Sequence, residues 1–423
     1  METDRQLNII NSSINVPSET GTLKKLLIHR PDAGIEKVTP SRAQELLYDD
    51  IVYLARMKEE HDLFAEAISW FIGKENLLYF SDLLTDVVAV PSVRQELLEA
   101  VVSFESLKKE NLKQLLDLSA SELSHFLISG TIPGSRIQLI NPLPNLIFCR
   151  DIGTVVNNHL VLTKAARNAR LRESLLSHFV FSYHPEFTEL SDNNRIISFL
   201  NPDKGTQNNF CIEGGDLMMF GKNHLLAGCS ERTNRDALEK MADALFKQGV
   251  VDYISIIDMP KQRACMHLDT IFSRISQEVC VGYMPLVEQV GKMEISHYQR
   301  GSSQVKSYPS LKNIVEDLYP NTTIVPCGQG IKPYDEREQW TDGCNLFAVK
   351  EGVAFTYERN HMTNEGLKKH GFDIVPVEKL IKDFKKNKLK PEDVTNTIIT
   401  IPASELSRAR GGTHCLTMPL LRI

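Results

Sequence analysis

The chain reads as an α/β protein assembled from a recurring module, a strand hairpin followed by a helix and a further strand. Three stretches carry that reading. Ile152 to Thr163 runs strand, Asn157-Asn158 turn, strand, and leads into a helix-like Ala165–His178. Asp216 to Gly228 repeats the hairpin with its turn at Gly221-Lys222-Asn223, and a helical stretch and a strand-like Tyr253–Ile257 follow. Asn345–Val349 and Val353–Tyr357 flank a Glu351-Gly352 turn. A short helix over Thr363–His370, stopped by Gly371, and a strand at Asp373–Val377 complete that third copy.

The remaining elements fit around these copies. Thr233 with Asp236 predicts a capping box, and Leu238, Met241 and Leu245 form the apolar stripe of the helix it opens. Thr270–Tyr283 offers another hairpin. Leu23–His29 is an isolated strand whose expected partner is the final segment, Leu416–Ile423. The copies share no obvious sequence identity, so the repeat lies in the pattern. Val93–Ser129 interrupts it with helical periodicity. Leu97, Leu98, Val101, Val102 and Phe104 make one stripe, and Ser119-x-x-Glu122 signals a cap between two helices. The expectation is one catalytic domain over 1–423 with a helical insert at 93–129.

Composition narrows the function. The chain has 423 residues, 42% of them hydrophobic, enough for a large core. Lys+Arg is 48 against Asp+Glu 54, a net charge of -6, with no basic tract, which argues against a nucleic-acid partner. The opening Met1-Glu2-Thr3-Asp4-Arg5 has no apolar signal core, and no apolar run is long enough to span a bilayer. The eight cysteines form no C-x-x-C pair, so reduced thiols in a cytoplasmic protein are expected.

Cys415 lies in Arg410-Gly411-Gly412-Thr413-His414-Cys415, just before the last predicted strand. Asp151, Glu213 and His267 each lie just before one of the hairpins, with Asp216 and Asp269 close behind. Residues at equivalent ends of several modules can converge on a common axis. Each cluster alone has a plain structural reading. Glu213-Gly214-Gly215-Asp216 could be an ordinary turn, His267 a structural histidine, Cys415 a buried small hydrophobe, and Asp151 with Arg150 a surface ion pair. Together they supply a nucleophile, a base and four carboxylates, which suits covalent chemistry on a cationic substrate.

A guanidinium makes those demands. It stays protonated at neutral pH, and its resonance-stabilised carbon is a poor electrophile. Two carboxylates can fix its plane by bidentate hydrogen bonds, and a thiolate, favoured by the adjacent cation, can attack the central carbon. A histidine must then protonate the departing amine and activate water, and a glutamate beside it would raise its basicity.

At these residues the chain resembles the arginine deiminases. The resemblance begins near Ser18–Lys24 and Leu27-Ile28-His29-Arg30-Pro31 and runs through Leu46–Asp50 and Glu60-His61-Asp62. It is strongest at Asn145–Asp151, Glu213–Asp216 and Ser230–Thr233, and continues through His267–Thr270, Arg337–Gly343 and Arg410–Cys415. It implies a five-bladed α/β propeller of pseudo-symmetric modules with a helical insert. It implies hydrolysis of free L-arginine to L-citrulline and ammonia, without metal or cofactor, by a homo-oligomer, a dimer. By position, Cys415 matches the nucleophile, and His267 and Glu213 the general acid/base pair. Asp151 and Asp269 match the carboxylates that grip the guanidinium. Arg170 and Arg232 match the arginines that hold the substrate carboxylate, Asn145 a contact to its amino end, and Arg410 a mobile arginine near the nucleophile. The chain departs from the family at Cys149, where Thr is usual, and at Ile152, where Pro usually follows the Asp.

Other functions stand beside this one. Dimethylarginine hydrolases, agmatine deiminases and amidinotransferases act on the same group, but agmatine has no carboxylate for Arg170 and Arg232. A catalytically silent arginine-binding protein would not need acid, base and nucleophile together. A cysteine peptidase would need an oxyanion hole where this sequence supplies carboxylates.

Overall fold

The computed structural model describes residues 13–200 and 209–423. Met1–Arg5, read above for the lack of a signal core, lies outside the described residues. The structure is mixed α/β. Among the described residues the strands assort into five separate sheets that share one plan. In each, an antiparallel pair is extended by a parallel strand on one side.

Gly153–Val156 and His159–Leu162 form such a pair, with Ile196–Ser198 added in parallel. Leu217–Gly221 and His224–Cys229 form the next, with Tyr253–Asp258 parallel. Lys222 and Asn223 turn that hairpin at φ of 52° and 54°, the left-handed pair whose twist matches the strands. Phe272–Arg274 and Val279–Gly282 take Thr323–Pro326. Phe347–Lys350 and Val353–Tyr357 take Thr397–Ile401, with Asp373–Pro376 beyond it. The fifth sheet joins the two ends of the chain. Leu23–Ile28 pairs antiparallel with Met418–Arg422, as the sequence predicts, and parallel with Leu77–Tyr79.

Apolar side chains fill the space between sheets and helices. Leu238, Met241 and Leu245 of the helix Arg235–Lys247 are fully buried against Leu225, Ile254 and Ile256. Burying such side chains contributes about 1.5–3 kcal/mol each. The helical stretch 93–129 is covered by Pro91–Phe104, Lys109–Leu116 and Ala120–Ser129, and the run begins upstream at Phe80–Ala89. Ser119 Oγ accepts from the Glu122 N–H, and Glu122 accepts in return from the Ser119 N–H, the capping box read from sequence.

Two local expectations differ from the structure, both because Glu213 claims a group that the expected element would use. The helix expected at Ala165–His178 runs instead over Asn168–Tyr183. Lys164 bridges Ile212, and the Ala166 N–H donates to Glu213. The cap expected at Thr233 falls on Asn234, whose side chain accepts from the Ala237 N–H. Thr233 Oγ1 instead accepts from the Glu213 N–H at 3.1 Å. A further antiparallel pair, Ile295–Gln299 with Val305–Tyr308, extends the second sheet and is absent from the sequence reading. Among the described residues no helix is long and apolar enough to cross a membrane.

Candidate active site

Asp151, Glu213, His267, Asp269 and Cys415 come from short segments that lead into strands of the sheets. Asp151 lies in the turn Cys149–Ile152 before the first hairpin. Glu213 precedes the turn Gly214–Asp216, and His267 precedes Leu268–Thr270, which contains Asp269. Cys415 lies just before the strand Met418–Arg422. The structure brings all nine residues named from sequence together. Asn145, Asp151, Arg170, Arg232, His267, Arg410 and Cys415 line one small cavity. Glu213 and Asp269 stand directly behind it, hydrogen-bonded to His267 and Cys415. Leu47, Arg232 and Arg263 also border an adjoining cleft of about 1070 Å³, which gives the site its way out.

The glycines of Glu213-Gly214-Gly215-Asp216 are explained by close approach. A Cβ on Gly214 would lie 1.9 Å from the Arg150 carbonyl oxygen, and one on Gly215 would lie 2.8 Å from His267 Nδ1. The backbone therefore packs directly on the imidazole. Glu213 Oε2 meets His267 Nε2 at 2.8 Å, and neither side chain reaches solvent to any extent. Burial alone would drive the His267 proton off. The Asp151 charge, the Glu213 hydrogen bond and the Asp216 charge outweigh it and raise its pKa to about 10. Burial works to raise the Glu213 carboxyl too, but the His267 contact, Arg170 and Arg232 hold it well below the usual range. Asp216 takes a bracing role, accepting from Ser230 Oγ at 2.6 Å and the Leu268 N–H at 2.9 Å.

On the opposite wall, Cys415 Sγ lies 3.5 Å from Asp269 Oδ2. Burial pushes this thiol up, and Asp269, Asp151 and Asp342 push it further, which favours the thiol over the thiolate. Asp269 Oδ2 also accepts from His414 Nδ1 at 2.9 Å, while its Oδ1 is buried without a hydrogen-bond partner. His414 Nε2 meets Glu19 Oε2 at 3.1 Å. Arg150 is buried and turned toward Glu19 at 3.7 Å, which corrects the surface-pair reading of Arg150 and Asp151.

Arg170 pairs with Asp151 Oδ2 at 2.6 Å and with Glu173 Oε2 at 2.8 Å. Arg232 lies 4.0 Å from Glu213. Asn145 donates its side-chain N–H to the Leu46 carbonyl, and its own carbonyl accepts from Arg170. Arg410 stacks its guanidinium over the Trp340 ring at 3.3 Å, with Nε and Nη1 lacking hydrogen-bond partners. The loop leading to it is tied down by Glu60, which accepts from the N–H groups of Glu405 and Leu406 at 3.0 and 2.9 Å. Cys149 is buried and its thiol points to the Leu146 carbonyl, and Ile152 is buried, so both departures sit in the packing behind Asp151.

Asp151, Glu213 and His267 place ligand-type atoms within 4.8 Å of one another. A metal there would have to displace the Arg170 guanidinium from Asp151 and the proton that His267 holds tightly. The set is better matched to an organic cation held by two carboxylates. Sequence reasoning missed Glu173, His414 and Asn345. Asn345 had a signal, since it enters a strand pair as Asp151, Glu213 and His267 do.

Comparison with known proteins agrees with this geometry. The arginine deiminase family model matches residues 129–422. The arginine deiminase of Borreliella afzelii is 32% identical over 438 aligned residues, covering 97% of this chain and 98% of its own. That of Bacillus cereus (strain B4264) is 30% identical with the same coverage. Two solved structures share the fold at lower identity. DDAH from Pseudomonas aeruginosa complexed with citrulline is 14% identical, with TM-score 0.51 over 95% of this chain and 100% of that one. The N-terminal domain of ArgZ bound to product, an arginine dihydrolase from the ornithine–ammonia cycle in cyanobacteria, is 15% identical, with TM-score 0.50 over 94% and 97%. With its family model spanning most of its length and relatives at this identity aligned nearly end to end, the chain belongs to the arginine deiminase family.

Proposed function

We propose that this chain hydrolyses free L-arginine to L-citrulline and ammonia, with Cys415 as nucleophile. One observation carries the reading. A cysteine, a histidine and an aspartate line one small cavity, and directly behind it a glutamate holds the histidine and a second aspartate meets the cysteine. The substrate guanidinium would lie between Asp151 and the unpaired Oδ1 of Asp269, displacing Arg170 from Asp151. Its charge would cancel the field of those carboxylates and so favour the Cys415 thiolate.

The thiolate attacks the guanidinium carbon, forming a C–S bond. His267 gives its proton to one terminal nitrogen, the C–N bond breaks, and ammonia leaves. An amidino-thioether on Cys415 remains. His267, now neutral, takes a proton from water as its oxygen attacks the same carbon. The C–S bond then breaks as the remaining hydroxyl proton passes to solvent, where it meets the released ammonia; the carbonyl forms, the thiolate returns, and citrulline is released. Arg232, and Arg170 once released from Asp151, would pair with the substrate carboxylate, with Asn145 at the amino end and Arg410 closing over the nucleophile.

The same reading treats the five sheets as blades of one propeller around this site, in a single domain over 1–423 with 93–129 as the helical insert. It also assigns a cytoplasmic dimer that needs no metal or cofactor. The test is product analysis with L-arginine, methylated arginines and agmatine. Citrulline and ammonia from L-arginine alone are expected, and equal turnover of agmatine would overturn the carboxylate assignment.

A further inference from the structure

Asn345 stands immediately before the strand pair Phe347–Lys350 and Val353–Tyr357, and it is 1% exposed. Its amide is fully used. Nδ2 donates to the Asp269 carbonyl at 3.0 Å and to Cys415 Sγ at 3.2 Å. Oδ1 accepts from the N–H groups of His414 and Cys415, both at 3.0 Å. Two donors and two lone pairs exhaust what an amide can offer. Reversing it would set the NH₂ against two backbone N–H groups and the oxygen against a carbonyl, so the network fixes the end that faces sulfur. Gly412 leaves the room, since a Cβ there would lie 2.5 Å from Asn345 Oδ1.

The sulfur is otherwise in a poor place to carry charge, with Asp269 Oδ2 at 3.5 Å and little solvent. A hydrogen bond strengthens when its acceptor becomes an anion. We propose that Asn345 is a further catalytic residue, the amide donor that holds the Cys415 sulfur in place and stabilises its thiolate through attack and departure. This rests on Cys415 being the nucleophile. The Asn345 backbone carbonyl, which accepts from Thr413 Oγ1 at 3.1 Å, adds a second tie to the same loop.

The test uses the full chain with Asn345→Ala and Asn345→Asp, the second keeping shape and the oxygen that meets both backbone N–H groups. Two quantities are measured: kcat and KM for arginine, and the pH midpoint of Cys415 alkylation by iodoacetamide, followed by peptide mass. Loss of a hydrogen bond to a charged group predicts a fall in kcat of about tenfold to a hundredfold with KM little changed. The alkylation midpoint should move to higher pH in both variants, further in Asn345→Asp because of its added charge. A wild-type midpoint in either folded variant overturns the proposal, even if melting temperature drops, because that pattern marks a purely structural residue. A shift in Asn345→Asp beside a folded, unshifted Asn345→Ala overturns it too, since charge alone then explains the change. Failure of the underlying reading looks different: wild-type enzyme fully alkylated at Cys415 would remain active.

Discussion

The Arg170 guanidinium rests on Asp151, Nη1 to Oδ2 at 2.6 Å, so the chain fills with its own arginine a carboxylate suited to gripping a substrate's. Glu173 holds the other side of Arg170 through Oε2, and its remaining oxygen has no hydrogen-bond partner. Burial raises the Glu173 carboxyl to about 7 despite Arg170 beside it. The internal pair leaves two buried charges compensated by each other.

Asp151→Asn should therefore weaken substrate capture more than it unfolds the protein, because Arg170 keeps Glu173. Breaking a buried hydrogen-bonded charge pair costs about 2–5 kcal/mol, so kcat/KM for arginine should fall about 30- to 5000-fold. Steady-state kinetics alongside a melting curve check this. Wild-type kcat/KM would remove Asp151 from the substrate's grip.

Cys415→Ala should abolish citrulline formation and leave the melting temperature near the wild type, since the change removes one sulfur from an already hydrogen-bonded loop. Acid-quenched wild-type enzyme given arginine should show an amidino adduct on the peptide carrying Cys415. Turnover by the alanine variant at the wild-type rate would eliminate covalent catalysis through this residue.

Arg232→Ala should damage arginine turnover far more than Lys222→Ala. Arg232 is 3% exposed and lines the cavity, whereas Lys222 lies on a hairpin turn and donates to the Leu318 carbonyl. A loss of about 2–5 kcal/mol in kcat/KM is expected for the first and almost none for the second. Equal effects would count against a carboxylate-binding role.

The pH profile should be bell-shaped, because attack needs a thiolate and amine departure needs protonated His267. His267 holds its proton to about 10, which places the descending limb there. In the free enzyme burial, Asp269, Asp151 and Asp342 raise Cys415, and a bound guanidinium offsets the charge of those carboxylates. The ascending limb of kcat should therefore lie at lower pH than that of kcat/KM. Glu213→Gln should move the descending limb toward acid, and an overlay on the wild type would show that Glu213 is not coupled to the base.

The same pair gives a stability signature. The His267 pKa is raised on folding from 6.5 to about 10, so its contribution is fully present below 6.5 and is lost as pH rises through about 10. The Glu213 pKa is lowered from 4.5, so its contribution is present above 4.5 and is lost as pH falls through the depressed value. The stability gap between wild type and Glu213→Gln in urea titrations should peak between 4.5 and 6.5 and close on either side. A gap constant from acid to alkali would uncouple the two groups.

Much of this is legible in the sequence itself. Hairpins announced themselves at Asn157, Lys222-Asn223 and Gly352, where the backbone needs positive φ and the sequence supplies residues that accept it. Polar residues placed just before those hairpins marked the site. What stayed hidden depends on partners distant in sequence. Thr233 looks like a cap until Glu213 takes its hydroxyl. Ala165 looks helical until the Ala166 N–H turns to the Glu213 carboxylate. The pair Ile295–Gln299 and Val305–Tyr308 is an edge extension, and Val305, Lys306 and Ser307 are exposed, so alternation there is weak. Asn345 carries no charge and no motif, and its place before a strand pair shows its importance only beside the partners of its amide.

The pairing of Leu23–Ile28 with Met418–Arg422 has a consequence for biosynthesis. A ribosome delivers Asp151, Glu213, His267 and Asp269 long before Cys415, and Cys415 can settle only when the last strand meets one of the first. Closing so long a loop costs little more entropy than closing one half its length, because the cost grows with the logarithm. It does make the step late. Until then Asp151 and Asp269 would stand without the thiol, so under the proposed role of Cys415 chemistry on arginine would wait for Leu23–Ile28 to find Met418–Arg422.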